Sequence, residues 1–323
     1  MPRGTAAHIT PPSPATCSTS RCCGRTSRAR GRADYTGITR TILESGAEVI
    51  LSGGEIYMLP AGVTGRHGRA GVRTDGLDLI ATARAAGYTV VYDRAELLAA
   101  AADPATVKLL GVFAATDTYN YETEEKLAAA GLPQYNPGTP DLADMTRAAL
   151  QVLERSGRRF ILVVEEEGTD NFANSYNAAG TFEALRRADA AIGAARGFLA
   201  RHPATLILTA ADSDAGSLQV VDFGQQKSPD EPAPILPPVT KIGTPLDGVA
   251  GTGTAAFLSA PNAHGNRSWF GVSWGAPDDV LGGVVARAAG LNAHRLRVNL
   301  DNTQLYELMW ETLFGRELPP ASD

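Results

Sequence analysis

Two apolar runs, each closing in carboxylates, bracket a long helical pattern between Phe160 and Ser213, and this stretch most restricts what the chain can fold into. The first run is Phe160-Ile161-Leu162-Val163-Val164, followed by Glu165, Glu166, Glu167, Gly168, Thr169 and Asp170. The second is Thr205-Leu206-Ile207-Leu208-Thr209, followed by Ala210-Ala211-Asp212-Ser213-Asp214. Between them, a helix is predicted over 181–199, with Phe182, Leu185, Ala188, Ile192 and Phe198 on its apolar side. Strand, helix and strand in this order build a parallel sheet, and chemistry in such sheets sits just past the carboxyl ends of the strands. Acidic groups delivered to that edge by two strands are what a divalent-metal site needs. Carboxylates at strand ends are also what solvent accepts at little cost, so the residues alone leave both readings open.

The same alternation continues outside this stretch. The pattern predicts a short helix around Ile38, Ile42 and Leu43, a strand at Glu48-Val49-Ile50-Leu51 and a turn at Ser52-Gly53-Gly54. A helix over 77–86 follows, then strands over 89–92 and 108–113, then a loop with Pro133, Pro137 and Pro140. An amphipathic helix over 141–153 carries Leu142, Met145, Ala149, Leu150 and Leu153 at helical spacing, with Thr139-Pro140 as its start signal. Residues 224–245 are Pro-rich and read as a surface excursion; a strand over 269–274 and a closing helix over 304–313 complete the order. There is no internal repeat. Strands alternating with helices give the fold class α/β, as a three-layer α/β/α sandwich with a mostly parallel central sheet.

Composition narrows the function. With 323 residues and 44% hydrophobic content the chain can bury a sizeable core, and its net charge of −6 argues against a nucleic-acid partner. Residues 1–33 form a low-complexity head that is expected to be poorly ordered, ahead of one domain over 34–323. Positions 1–40 hold seven Arg against the single acid Asp34. Cys17, Cys22 and Cys23 all lie in the head, with no partner spacing for a disulfide framework or zinc. No apolar run approaches membrane-spanning length, which argues against a membrane partner, and residues 1–10 lack the apolar core of a signal peptide. His67, His202, His264 and His294 have no metal spacing and read as surface residues, whereas Trp269 and Trp274 read as core.

Several segments, taken in order, resemble the alkaline phosphatase family over roughly residues 8–315. Val164-Glu165, with Asp170 five positions on and a helix after it, resembles the strand that carries a magnesium-ligand Glu and a zinc-ligand Asp. Thr205–Asp212 resembles the "TLIIVTADH" strand, whose Asp binds the second zinc. Pro140-Asp141-Leu142-Ala143-Asp144-Met145-Thr146 is similar to the helix start "PSLAEMT", and Val49–Gly54 to the turn "VILGGG". In the head, His8-Ile9-Thr10-Pro11 resembles "HATPA", whose Thr is a magnesium ligand. Arg21 stands eleven residues beyond Thr10, where the family keeps the Arg that grips substrate phosphate.

The resemblance implies divalent-metal hydrolysis of small phosphate monoesters by a homodimer that works in the periplasm or is secreted, although the chain as written carries no export signal. It assigns phosphate binding to Arg21 and metal binding to Thr10, Glu165, Asp170, Asn174, Asp212, Ser213 and Asp278 or Asp279. It also shows departures. Asn174, Ser213 and the Asp278-Asp279 stretch stand where the family has His ligands. The catalytic Ser and the first metal-bridging Asp are expected upstream of residue 1, so the chain reads as truncated at its N-terminus. The remaining ligands all offer oxygen, which suits magnesium, calcium or manganese better than the family's zinc. A catalytically inactive relative that only binds metal or phosphate is the alternative reading. Asp170 and Asn171 also fit as helix caps, and Asp212–Asp214 as a solvated turn.

Overall fold

A parallel sheet needs helical crossovers between its strands, and the chain supplies them in order: β1 (Thr5–Ile9), α1 (Tyr35–Glu44), β2 (Val49–Ser52), α2 (Leu79–Ala85), β3 (Thr89–Val91), α3 (Arg94–Ala102), β4 (Leu109–Val112), α4 (Glu124–Ala130), α5 (Leu142–Glu154), β5 (Phe160–Val164), α6 (Gly168–Asn174) and α7 (Ala178–Arg201). The computed structural model describes residues 5–9, 31, 33–280 and 282–316. Thr10, Arg21 and the three cysteines lie outside the described residues. Most helices begin on a short polar side chain that accepts an N–H of the first turn. Asp34, Asp78, Asp93, Thr123, Asp141 and Asn177 cap α1, α2, α3, α4, α5 and α7.

The central sheet has the order β3-β4-β2-β1-β5, and every neighbouring pair is parallel. Alternation along the strands sends side chains to two helix layers. Val49, Leu51, Val91 and Leu109 face one way, onto Leu97 of α3 and Leu142, Met145, Ala149 and Leu153 of α5. Ile50, Leu110 and Val112 face the other way, onto Leu43 of α1 and Leu79, Ile80 and Ala83 of α2. These layers are the α/β/α sandwich expected from the sequence.

Two features differ from expectation. Thr5–Ile9, inside the stretch expected to be poorly ordered, is an interior strand between β2 and β5. The second carboxylate-tipped run, β6 (Leu206–Thr209), does not extend the parallel sheet. It pairs antiparallel with a strand over 287–290, Thr209 opposite Arg287.

The remaining strands are β7 (Asp214–Ala215), β8 (Gln219–Gln225), β9 (Leu246–Gly248), β10 (Gly251–Thr252), β11 (Phe257–Leu258), β12 (Ser268–Ser273), β13 (Asp279–Val280) and β14 (Arg287–Gly290), before α8 (Asn302–Phe314). β8 to β12 form a second, antiparallel sheet around Trp269, Leu236 and Leu246. Among the described residues, no helix is long and apolar enough to cross a membrane.

A buried acidic seam joins the second sheet to the body. Glu124 accepts the Ala179 N–H at 3.0 Å, Asn177 accepts the Gly180 N–H at 2.6 Å, and Asp247 of β9 accepts the Trp274 indole N–H at 2.6 Å. Asp247 also takes the Ala178 N–H, so the first amides of α7 are claimed by side chains from β9, from α4 and from its own N-cap. Burial pushes Glu124 up to about 7 and Asp247 up to about 6. Both therefore keep protons in the folded chain that the unfolded chain releases above about pH 4. The stability carried by the neutral forms is complete below that pH and is lost as pH rises through 6 and 7. The variant Glu124→Gln keeps a neutral acceptor. It should change little at pH 5 and stabilise the fold by about 1–3 kcal/mol at pH 8, as read from urea midpoints; the same change at both pH values would refute this.

Candidate functional site

Parallel strands send all their carboxyl ends to one edge of the sheet, and the turn after β5 carries the acidic run there. Glu165 directly follows the strand and is half-buried. Glu167 is buried and starts α6, with its carbonyl accepting the N–H groups of Asp170 and Asn171 at 3.0 Å each. Asp170 and Asn174 are four residues apart, one turn along the same face of α6.

The Asn174 amide is the centre of the cluster. Its Nδ2 donates to Asp170 Oδ1 at 2.6 Å and to Asp279 Oδ1 at 3.0 Å. Its Oδ1 accepts the Gly216 N–H at 2.9 Å. The amide thereby bridges two carboxylates that come from positions 109 apart in the chain. Gly216 sits at φ +68° with its backbone against α6, where an added Cβ would lie 2.5 Å from the Ala173 carbonyl oxygen. Only glycine accepts both conditions at once. The short pairing of β13 with β7, Asp279 opposite Ala215, carries Asp279 to this point.

Like charges meet here. Burial, with the Asp279 carboxylate next to it, pushes Asp170 up to about 7; Glu167 and Asp212 add to the same effect. Asp212 is solvent-exposed past the end of β6 and acts on Asp170 through its charge. Ser213 is half-buried beside it, and Asp278 is exposed beside Asp279. The Asp278 carbonyl accepts the Gly216 N–H at 3.3 Å.

The structure thus brings Asp170, Asn174 and Asp279 into contact, with Asp212 in electrostatic reach. Among the described residues, no three His, Cys, Asp or Glu side chains converge as a metal cage. The donors at the contact are all oxygen or amide, the chemistry of a hard cation that keeps several of its own waters.

Three histidine and support details were not legible in the sequence. His67 is not a free surface residue: its Nε2 lies 2.7 Å from the Val112 carbonyl oxygen. His202 stacks on Phe198 at 4.2 Å and pairs with Glu154 at 2.8 Å. Glu166, which reads as a solvated strand end, is held by Tyr135 and by the Gly168 N–H.

The alkaline phosphatase family profile matches residues 4–231. The chain belongs to the alkaline phosphatase family. Streptomycin-6-phosphate phosphatase of Streptomyces griseus is 40% identical over 146 residues, which are 40% of this chain and 32% of that protein. The alkaline phosphatase of Escherichia coli K12 is 27% identical over 230 residues, 68% of this chain and 45% of that one. The chain therefore spans less than half the length of these curated relatives. Among solved structures, Thermus thermophilus alkaline phosphatase superposes with a TM-score of 0.53 at 28% identity, over 69% of this chain and 42% of that one. The alkaline phosphatase of the Antarctic bacterium TAB5 superposes with a TM-score of 0.65 over 97% of this chain and 73% of its own; at 14% identity it shows the fold alone.

Removing the bridging amide tests the cluster. Asn174→Ala deletes three hydrogen bonds and leaves Asp170 facing Asp279. It should destabilise the chain by about 1–3 kcal/mol at neutral pH, measured by chemical unfolding; an unchanged midpoint would show that the bridge holds nothing in solution.

Proposed function

We propose that this chain carries the cation-binding part of a phosphate monoester hydrolase, and that its cation is a single hard divalent ion, with magnesium first and calcium or manganese next. The observation that carries this reading is the Asp170–Asn174–Asp279 contact at the carboxyl edge of the sheet. Asp170 and Asp279 would hold the ion through carboxylate oxygens. The exposed Asp212 adds negative charge to the same edge. A zinc pair fits poorly, because zinc favours imidazole and thiolate donors and this contact offers neither. When bound, the ion supplies positive charge where a phosphoryl group gathers negative charge.

The rest follows from the chain's own groups. Asn174 holds the two carboxylates in register before any ion arrives, and its Oδ1 is already engaged by Gly216. Thr10, Glu165, Ser213 and Asp278 complete the set that the family resemblance assigns. Arg21 matches the family position whose planar fork grips two phosphate oxygens. A relative that acts on streptomycin-6-phosphate supports a small phosphorylated substrate here. Family membership likewise supports a homodimer that works in the periplasm or is secreted.

The test is hydrolysis of p-nitrophenyl phosphate and of streptomycin-6-phosphate by the purified chain, with magnesium, calcium, manganese and zinc supplied in turn. Turnover highest with magnesium, and lost in Asp170→Ala and Asp279→Ala, is the expected result. Zinc binding far tighter than magnesium would overturn the hard-cation assignment. Tight magnesium binding with no turnover on any ester would leave a binding protein in place of a hydrolase.

A further inference from the structure

Two tyrosines outside the acidic cluster give their hydroxyls to the turn that carries it. Tyr119 and Tyr135 face one another across an isolated antiparallel bridge, with ring centroids 5.7 Å apart. Phe172 of α6 packs on both, at 5.6 and 5.8 Å. The Tyr135 O–H donates to Glu166 Oε1 at 2.9 Å, and the Gly168 N–H donates to the same oxygen at 3.2 Å. On the other side of Asp170, Asn171 Nδ2 donates to the Tyr119 hydroxyl oxygen at 2.6 Å. Behind Tyr135, the Arg187 guanidinium of α7 lies 3.6 Å from the ring centroid and is itself held by Glu183 at 2.9 Å. The approach is close: a Cβ on Gly168 would sit 2.5 Å from the Tyr135 hydroxyl.

Phenylalanine would fill the same volume in this apolar cluster without a polar group to satisfy. What the two hydroxyls add is direction. They hold Glu166, in the turn that leads into α6, and Asn171, next to Asp170 on α6. Groups one layer behind a cation's ligands set how well those ligands are aimed.

We propose that Tyr119 and Tyr135 are positioning residues for the cation site, acting through Asn171 and Glu166 on α6, which presents Asp170 and Asn174, and on the turn before it. This rests on the hard-cation reading given above. The variants Tyr119→Phe and Tyr135→Phe keep both rings and remove only the hydroxyls.

Two measurements on the full chain decide it. In metal-free protein, amide hydrogen exchange over residues 170–175 should quicken by about fivefold, the effect of losing one hydrogen bond, while α2 exchanges as before. In a magnesium titration, each variant should bind at least ~10-fold more weakly than the parent, while its unfolding equilibrium shifts by no more than about the same fivefold. Exchange unchanged at 170–175, exchange quickened throughout the molecule, or magnesium affinity equal to the parent would each overturn the positioning role. A parent chain that binds no magnesium would instead remove the hard-cation reading, and is told apart because it appears before any variant is made.

Discussion

Every strand of the central sheet runs in the same direction, and the rest of the molecule follows from that. Parallel pairing buries both faces of β2 and β4, so these strands offer apolar side chains to two helix layers, whereas β5 at the edge leaves Ile161 and Val163 exposed. Val49 and Leu51 face α3 and α5 while Ile50 faces α1 and α2, within one four-residue strand. The same rule places all strand exits on one edge. The acidic turn after β5 is therefore set at that edge by the sheet, before any side chain in it is considered.

Elements with a marked apolar pattern of their own were legible; those that become regular only through a partner were not. The strand over 160–164 could be read from its unbroken apolar run and the helix at Leu142–Glu154 from apolar periodicity; Phe160, Leu162 and Val164 pack with that helix on the main core. The antiparallel partner of β6 could not. Arg287-Ala288-Ala289-Gly290 has no alternation and becomes a strand only through β6. Helix α3 is hard to read although Asp93 and Glu96 mark its start, since its alanine-rich body has little amphipathic contrast. At the site, Asp170, Asn174 and Asp279 were named from resemblance, but the amide bridging both carboxylates needed the fold. Tyr119 and Tyr135 carried no signal at all: tyrosines on either side of α4 are not informative until α6 packs against them.

The site is electrostatically tense by construction. Asp170 is brought near other carboxylates, and the neighbouring Glu166 is buried enough to be pushed up to about 7. A neutral amide cannot cancel charge as an ion does, yet it fixes spacing by hydrogen bonds whose geometry is stricter than Coulomb attraction. The acidic seam of Glu124 and Asp247 follows a similar pattern, with carboxyls held by N–H donors instead of cationic side chains. The fold repeatedly sets its acids against amide and indole donors, so their protonation is coupled to packing.

The contact between Asp170 and Asp279, made through Asn174, also sets an order of events as the chain emerges from the ribosome. Synthesis delivers the chain from its N-terminus, so residues made early can pack before later ones exist. The parallel sheet needs nothing beyond Val164, and its helix layers are in place once α7 has been made. Asp279 lies well past that point, on a two-residue strand that pairs with β7. Every residue that the topology of the sandwich needs is thus made before Asp279, the last carboxylate of the cluster.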